Sequence, residues 1–482
     1  MFEIRFHNCT LQYQGAEVLS NFSFKVEQGK HSVIHGPIGC GKTMLLKSLT
    51  GNVQLKSGRI EFFSDGREIS KFDFHKKVSL VEFANPSKFF NPKNHFYQQR
   101  YHHQMEDDEW SKSITIRALL NFKGFSEDDL QVRAFLKREK LFGLLDNKLI
   151  HLSSGQRREL QLVLSLLHLP EIILLDSPYI GLDAKSRDDL NEWLHELVKQ
   201  KDLQIIMTAN DEDAPAWIDN RIAMPSGYNT SIFHESHQAQ ILLDLQHNHD
   251  IQGDRNPVLE LQNIKINFGK TTLFEGINWS VLQGEHVALI GENGSGKSTL
   301  LSLIYADNPR AYSNHVKMFG IQRGKGDSIW SVKKRIGFVS SELHLYFTEK
   351  YSCAKVIATG FFDSKFVPRK ITEKESSIIK KYASYFDISH LLDREYVQTS
   401  LGEQKLVLFI RALVKNPELL LLDEPYQAFN SKLIKKANAL LDAITEQSNT
   451  TLIFISHYRN EIPDCVERIY ELTDGKLQIE SA

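Results

Sequence analysis

Residues 291–298 read GENGSGKS, and the same frame of glycines, lysine and hydroxyl occurs once more as GPIGCGKT at residues 36–43. The frame is G-x-x-x-x-G-K-[ST]. Its glycines let the backbone curl until several N–H groups face a phosphate. Its lysine reaches the terminal phosphates of a nucleotide, and its hydroxyl reaches a magnesium ion. A short apolar run precedes each loop (HSVIHG, HVALIG) and a helix-like run follows (MLLKSLT, TLLSLIY). A glycine-rich turn without a ligand does not account for two matches in one strand–loop–helix context. The loops assign nucleotide binding to Gly36, Pro37, Gly39, Cys40, Gly41, Lys42 and Thr43, and to Gly291, Asn293, Gly294, Ser295, Gly296, Lys297, Ser298 and Thr299.

Working outward, further stretches repeat. LSSGQ at 152–156 is matched by TSLGE at 399–403, and IILLDSP at 172–178 by LLLLDEP at 419–425. Two copies of one domain, each about 230 residues, explain this; the period is far too long for a solenoid. Each copy opens on alternating apolar residues with glycine turns, which predicts antiparallel strands. Each then alternates apolar runs with helical patterns, which predicts a parallel sheet with crossover helices. The expected organisation is an α/β fold in residues 1–235, a polar linker over 236–256, and a second α/β domain over 257–482.

Composition narrows the function classes. Of 482 residues, 41% are hydrophobic and 24% charged, enough to build several cores. Lys and Arg total 58 against 60 Asp and Glu, so net charge gives no reason to expect broad nucleic-acid or membrane-surface binding. The four cysteines, Cys9, Cys40, Cys353 and Cys465, are scattered without CxxC spacing. That predicts a reduced, cytosolic chain without a disulfide framework or zinc module. No run approaches the roughly 20 apolar residues of a membrane span. If the protein serves a membrane process, another chain must supply the spans.

The LD-ending strands place an acid near each phosphate loop. Asp176 and Asp423 suit the carboxylate that holds Mg²⁺ through water, with Thr43 and Ser298 as the hydroxyl ligands. Together these motifs resemble the tandem ATP-binding-cassette (ABC) ATPases over nearly the whole chain. The resemblance implies two P-loop domains, each with an antiparallel β subdomain, a parallel-sheet core and a helical subdomain. It implies ATP and Mg²⁺ as ligands. It also implies that the cassettes pair head to tail, so that one cassette's signature completes the other's ATP site. The signatures would be Ser153, Gly155 and Gln156 in copy one, and Ser400, Gly402 and Glu403 in copy two.

Carried over position by position, copy two has Lys297, Asp423, the water-polarising Glu424 and a γ-phosphate-contacting His457. Copy one has Lys42, Thr43 and Asp176, but Ser177 stands in the glutamate's place. Setting QIIMTANDEDAP beside TLIFISHYRNEIP puts Ala209 opposite His457. Serine is no useful proton acceptor near neutral pH. The expectation is one hydrolysing composite site, built on copy two's loop with copy one's signature, and one site that mainly holds ATP.

Other assignments follow from the resemblance. Tyr13 and Phe268 are the expected adenine-stacking rings. A glutamine is expected after the strand entering the helical subdomain. Copy two has Ser341 there, and in copy one Gln98 or Gln99 either fills the role or belongs to a surface insertion. Asn430 replaces the communicating aspartate Asp183. His234, His237, His247 and His249 around the linker lack zinc spacing and read as solvated. RYHHQMEDDEW reads as a solvated insertion rather than a nucleic-acid site. The stretch SNHVKMFGIQRGKGDSIWSVKKRIGFVSSELH resembles the tandem cassettes associated with molybdate transport. The implied function is energising a transporter, with a permease chain as partner and a peripheral position at the inner face of the membrane. The alternative is a soluble ATP-driven switch acting on a protein or nucleic acid.

Overall fold

The computed structural model describes residues 1–83 except 14, residues 114–224 apart from 130–131, 134–135, 138–140, 150–151, 153, 201–202, 211–212 and 219, and residues 256–480 apart from 269–270, 293, 306–307, 327, 342 and 348. The described residues form two compact units, one within residues 1–83 and 114–224 and the other within residues 256–480. The linker histidines and Gln98 and Gln99 lie outside the described residues.

In unit one the long strand Phe2–Tyr13 pairs antiparallel with Ala16–Val26 on one side and Gln54–Ser64 on the other. A parallel sheet follows, in the order Val78–Glu82, Ile172–Asp176, Gln204–Thr208, Ser32–His35, Asn220–Ala223. Every residue of Ile172–Asp176 is buried. Alternation sorts its side chains to two faces, as the two-residue period of a strand requires. Ile172 and Leu174 join the core under the antiparallel sheet, with Leu45, Leu46 and Leu49 of the helix Lys42–Leu49. Ile173 and Leu175 join a second core with Trp193, Leu194 and Leu197 of the helix Ala184–Gln200. This double burial explains why the strand reads as an unbroken apolar run. A third cluster, including Ile116, Leu120, Leu149 and Leu160, forms a helical subdomain.

Unit two repeats the plan. Pro257–Phe268 pairs with Thr271–Leu282 and with His315–Met318. The main sheet runs Ile336–Val339, Leu419–Asp423, Thr451–Ile455, His286–Ile290, Arg468–Thr473, Lys476–Ile479, with only the last pair antiparallel. In both sheets the strand leading into the phosphate loop is an interior strand with a parallel neighbour on each side. The loop therefore emerges at the carboxyl ends of the parallel strands, where open α/β sheets bind ligands. Among the described residues no helix is long and apolar enough to cross a membrane.

Candidate functional site

Each phosphate loop is a tight turn that only glycine can make. Gly41 and Gly296 cap the following helices, Lys42–Leu49 and Lys297–Ile304, at φ 96° and 103°. A β-carbon would lie 2.7 Å from Leu19 Cγ in the first case and 2.7 Å from the Phe274 ring in the second. Conformation and space thus both exclude a side chain. The lysines fold back on their own loops. Lys42 Nζ donates to the Gly36 and Pro37 carbonyls at 2.7 and 2.8 Å, and Lys297 Nζ to Gly291 and Glu292 at 2.7 Å each. These carbonyls hold the ammonium at the loop, where a phosphate would meet it. Cys40 is buried, with Sγ 3.7 Å from Lys42 Nζ. The side chain of Ser295 is partly buried at the corresponding position. Asn293 and Ser153 lie outside the described residues.

The two LD strands end differently. In unit two the backbone turns left-handed at Glu424, φ 48°. The turn carries its carboxylate toward the loop. Glu424 Oε1 lies 2.5 Å from His457 Nε2, and Gln427 donates its amide to Oε2. His457 Nδ1 lies 2.9 Å from the Gly291 carbonyl. Both imidazole nitrogens therefore face oxygens, the Glu424 carboxylate on one side and the Gly291 carbonyl on the other. Burial alone would raise the Glu424 carboxyl; His457 and Lys297 outweigh it and hold the group below the usual carboxylate range. Asp423 moves the other way, pushed up by burial and then by the Glu424 charge.

In unit one Ser177 has the same left-handed backbone, φ 56°. Its surroundings are hydroxyls. Thr208 Oγ1 donates to Asp176 Oδ1 at 2.8 Å and accepts from the Ser177 N–H at 2.8 Å. Thr43 Oγ1 reaches the same carboxylate oxygen at 3.1 Å. Burial pushes the Asp176 carboxyl up, partly countered by Thr208 and then Thr43. Thr208 is fully buried; strand pairing sets it beside Asp176 just as it sets Ile455 beside Asp423. Thr208 escaped the sequence reading, although a hydroxyl ending an apolar strand where the other copy has isoleucine was the available signal.

That pairing also corrects one alignment. Gln204 pairs with Ile172 as Thr451 pairs with Leu419, so the counterpart of His457 is Asn210, not Ala209. Comparing the segments as strings slipped by one residue; the hydrogen-bonded ladder fixes the count. Asn210 donates its amide to Asp213 at 3.1 Å. An amide does not exchange a proton as an imidazole does, so unit one still lacks that group.

The remaining expected residues fall as follows. Tyr13 and Phe268 both end the first strand of their hairpins, paired with Ala16 and Thr271. Ser400 caps the helix Leu401–Leu413 in a reciprocal box: Ser400 N–H donates to Glu403 at 2.7 Å and Glu403 N–H to Ser400 at 3.3 Å. Gly402 lies in this helix's first turn, and Gly155 and Gln156 in that of the helix Ser154–Leu166. Asp183 and Asn430 cap equivalent helices, accepting from Ser186 and Leu433 N–H at 2.7 and 2.9 Å. Asparagine thus preserves the aspartate's capping bond while removing its charge. Thr43 and Ser298 each stand second in the helix after the loop. Among the described residues no group of three or more His, Cys, Asp and Glu is placed to hold a metal ion. The donor set fits a hard cation that keeps waters and phosphate oxygens: a hydroxyl and a carboxylate together, as Thr43 and Asp176 are.

The model of the ABC transporter family matches residues 19–179 and 274–427, more than half of the chain. The chain belongs to the ABC transporter family. Within that family it is a tandem ATP-binding protein and an ATPase. It is 29% identical to the ABC transporter ATP-binding protein ModF of Escherichia coli, over 92% of this chain and 91% of ModF. It is 28% identical to an uncharacterized ABC transporter ATP-binding protein of Schizosaccharomyces pombe, over 99% of both chains. Among solved structures, an archaeal ribosome recycling factor in complex with a ribosomal stalk protein matches with a TM-score of 0.53. That match spans 98% of this chain and 89% of the factor at 15% identity, and so speaks to the fold alone.

Proposed function

We propose that the two ATP sites of this ABC ATPase divide the work: the phosphate loop of unit two hydrolyses ATP, and that of unit one holds it. The observation that carries this reading is the pair of left-handed positions after Asp423 and Asp176. One presents the carboxylate of Glu424 to His457; the other presents Ser177 to Thr208. In unit two, Glu424 takes a proton from water as the water oxygen bonds to the γ-phosphorus. The bond from that phosphorus to the β–γ bridging oxygen breaks, leaving ADP and phosphate. Lys297 and His457 stabilise the charge that develops. Ser298 with Asp423, and Thr43 with Asp176, would hold Mg²⁺, and the ion would supply neutralisation of phosphate charge there. Ser153, Gly155 and Gln156 complete the hydrolytic site under the family's pairing, and Ser400, Gly402 and Glu403 the holding site. Tyr13 and Phe268 stack on adenine.

The work so released energises a membrane transporter whose spans belong to a permease chain, with this chain peripheral at the membrane's inner face. The name of ModF and the resemblance to molybdate-associated cassettes support that reading, and make an oxyanion the first cargo to test. Affinity capture of the tagged protein from membranes, followed by mass spectrometry, tests it. Recovery of a polytopic membrane protein is expected. Recovery of only ribosomal or soluble regulatory proteins would overturn it in favour of an ATP-driven switch.

A further inference from the structure

Lys405 stands in the first half of the helix Leu401–Leu413, yet its side chain is only 1% exposed. Burying an ammonium is costly unless its protons are used. Here they are. Lys405 donates to the Ser341 carbonyl and, at 3.3 Å, to Gln427 Oε1. Gln427 then donates its amide to Glu424 Oε2. With Glu424 on His457 and His457 at the Gly291 carbonyl, one polar chain runs from Ser341 to the phosphate loop.

The chain has a direction. Gln427 must turn its oxygen to the ammonium and its NH₂ to the carboxylate. The flipped amide would set donor against donor at one end and acceptor against acceptor at the other. Lys405 thus fixes the amide, and the amide fixes the carboxylate. Unit one supplies an independent comparison. Counting from the matched pair Asp176 and Asp423, the positions of Glu424 and Gln427 are occupied by Ser177 and Ile180. Isoleucine passes on no hydrogen bond. The connecting side chain is present where there is a carboxylate to hold and missing where there is none.

We propose that Lys405 and Gln427 are positioning residues for hydrolysis, which hold the Glu424 carboxylate and tie it to the Ser341 segment. This rests on the reading of Glu424 as proton acceptor. Ser341 follows the strand Ile336–Val339 and leads into the helical elements Leu343–Tyr346 and Cys353–Ala358. The coupling glutamine expected there is absent from the sequence. The Lys405 ammonium, arriving from another helix, supplies the link instead. A shift of the Ser341 peptide then moves Lys405, rotates the Gln427 amide and takes Glu424 out of line.

The test uses the full-length protein with MgATP and compares Lys405→Met, Gln427→Leu, their double variant, Lys405→Arg and Glu424→Gln. Misplacing a reacting group costs up to about a hundredfold. Lys405→Met and Gln427→Leu should each lower kcat about tenfold to hundredfold, with KM and binding of a fluorescent ATP analogue changed less than about threefold. The double variant should fall no further than the worse single one, because both break one chain. Lys405→Arg, which can still donate to both oxygens, should recover most of the rate. Gln427 is only partly buried on a loop, so Gln427→Leu decides the matter if Lys405→Met fails to fold. Single variants within about twofold of the unaltered rate, or losses that multiply in the double variant, overturn the proposal. If Glu424→Gln removes activity and these variants do not, only the positioning role fails. If Glu424→Gln itself leaves activity intact, the assignment of the proton acceptor fails first.

Discussion

Replacing Glu424 by glutamine changes one oxygen to an NH₂ and leaves the shape unchanged. One carboxylate oxygen is paired with the His457 imidazole and the other accepts from the Gln427 amide. The amide keeps one of these acceptors, so one hydrogen bond is at stake, about 1 kcal/mol. Removing the negative charge beside buried Asp423 works in the opposite direction, because that charge is part of what pushes the Asp423 carboxyl up. Stability should therefore move by no more than about 1 kcal/mol. Catalysis should respond differently, since an amide cannot accept the proton from water. Loss of an acid–base group costs about 10²- to 10⁴-fold, equivalent to about 3–5 kcal/mol of barrier. Phosphate release at saturating MgATP reads the catalytic loss, thermal unfolding reads the stability, and rapid filtration reads retained ATP. The expected result is an ATP-loaded, folded and nearly inactive protein. A rate loss under about threefold, or a stability loss matching the catalytic one, would refute the reasoning.

Other consequences follow from named contacts. Thr208→Val strips the buried Asp176 carboxylate and the Ser177 N–H of one partner each; denaturant unfolding of unit one should show a loss of about 1–3 kcal/mol, with little change in steady-state ATPase. The side chains of Lys415 and Asp363 are 8% and 4% exposed and bonded to each other, so Lys415→Met should cost unit two about 3–5 kcal/mol in the same measurement. His31 Nδ1 accepts the Ile205 N–H, which requires a neutral ring, and burial followed by the nearby His195 holds its pKa below the usual histidine range. Its contribution is thus complete above about pH 6.5 and lost as pH falls through the lowered value; unfolding followed across that window should show unit one weakening, and His31→Phe should flatten the dependence.

What could be read from sequence was what lies contiguous along the chain. The loops, the LD strands and the Ser177 substitution each sit within one short segment, and their meaning depends on local geometry. The duplicated fold followed from the same segments, because a strand buried on both faces shows as an unbroken apolar run. The counterpart of His457 was misplaced on Ala209 because string comparison carries no ladder register, and Asn210 emerged only once the pairing of Thr208 with Asp176 was visible. Thr208, Lys405 and Gln427 were missed for a related reason. Their partners lie on other elements: 32 residues away for Thr208 and Asp176, 64 for Lys405 and Ser341. A lysine on a helix reads as a solvated face until the fold buries it.

Division of labour between the two sites is tested most directly by a single turnover. The protein is loaded with radiolabelled ATP at both sites, Mg²⁺ is added, and the reaction is quenched over time to count ATP and ADP per chain. One ATP should convert quickly while the second remains ATP about a hundredfold longer, and Glu424→Gln should abolish the fast phase alone. Conversion of both nucleotides at one rate would contradict the assignment of hydrolysis to Glu424 and of nucleotide holding to the site at Ser177.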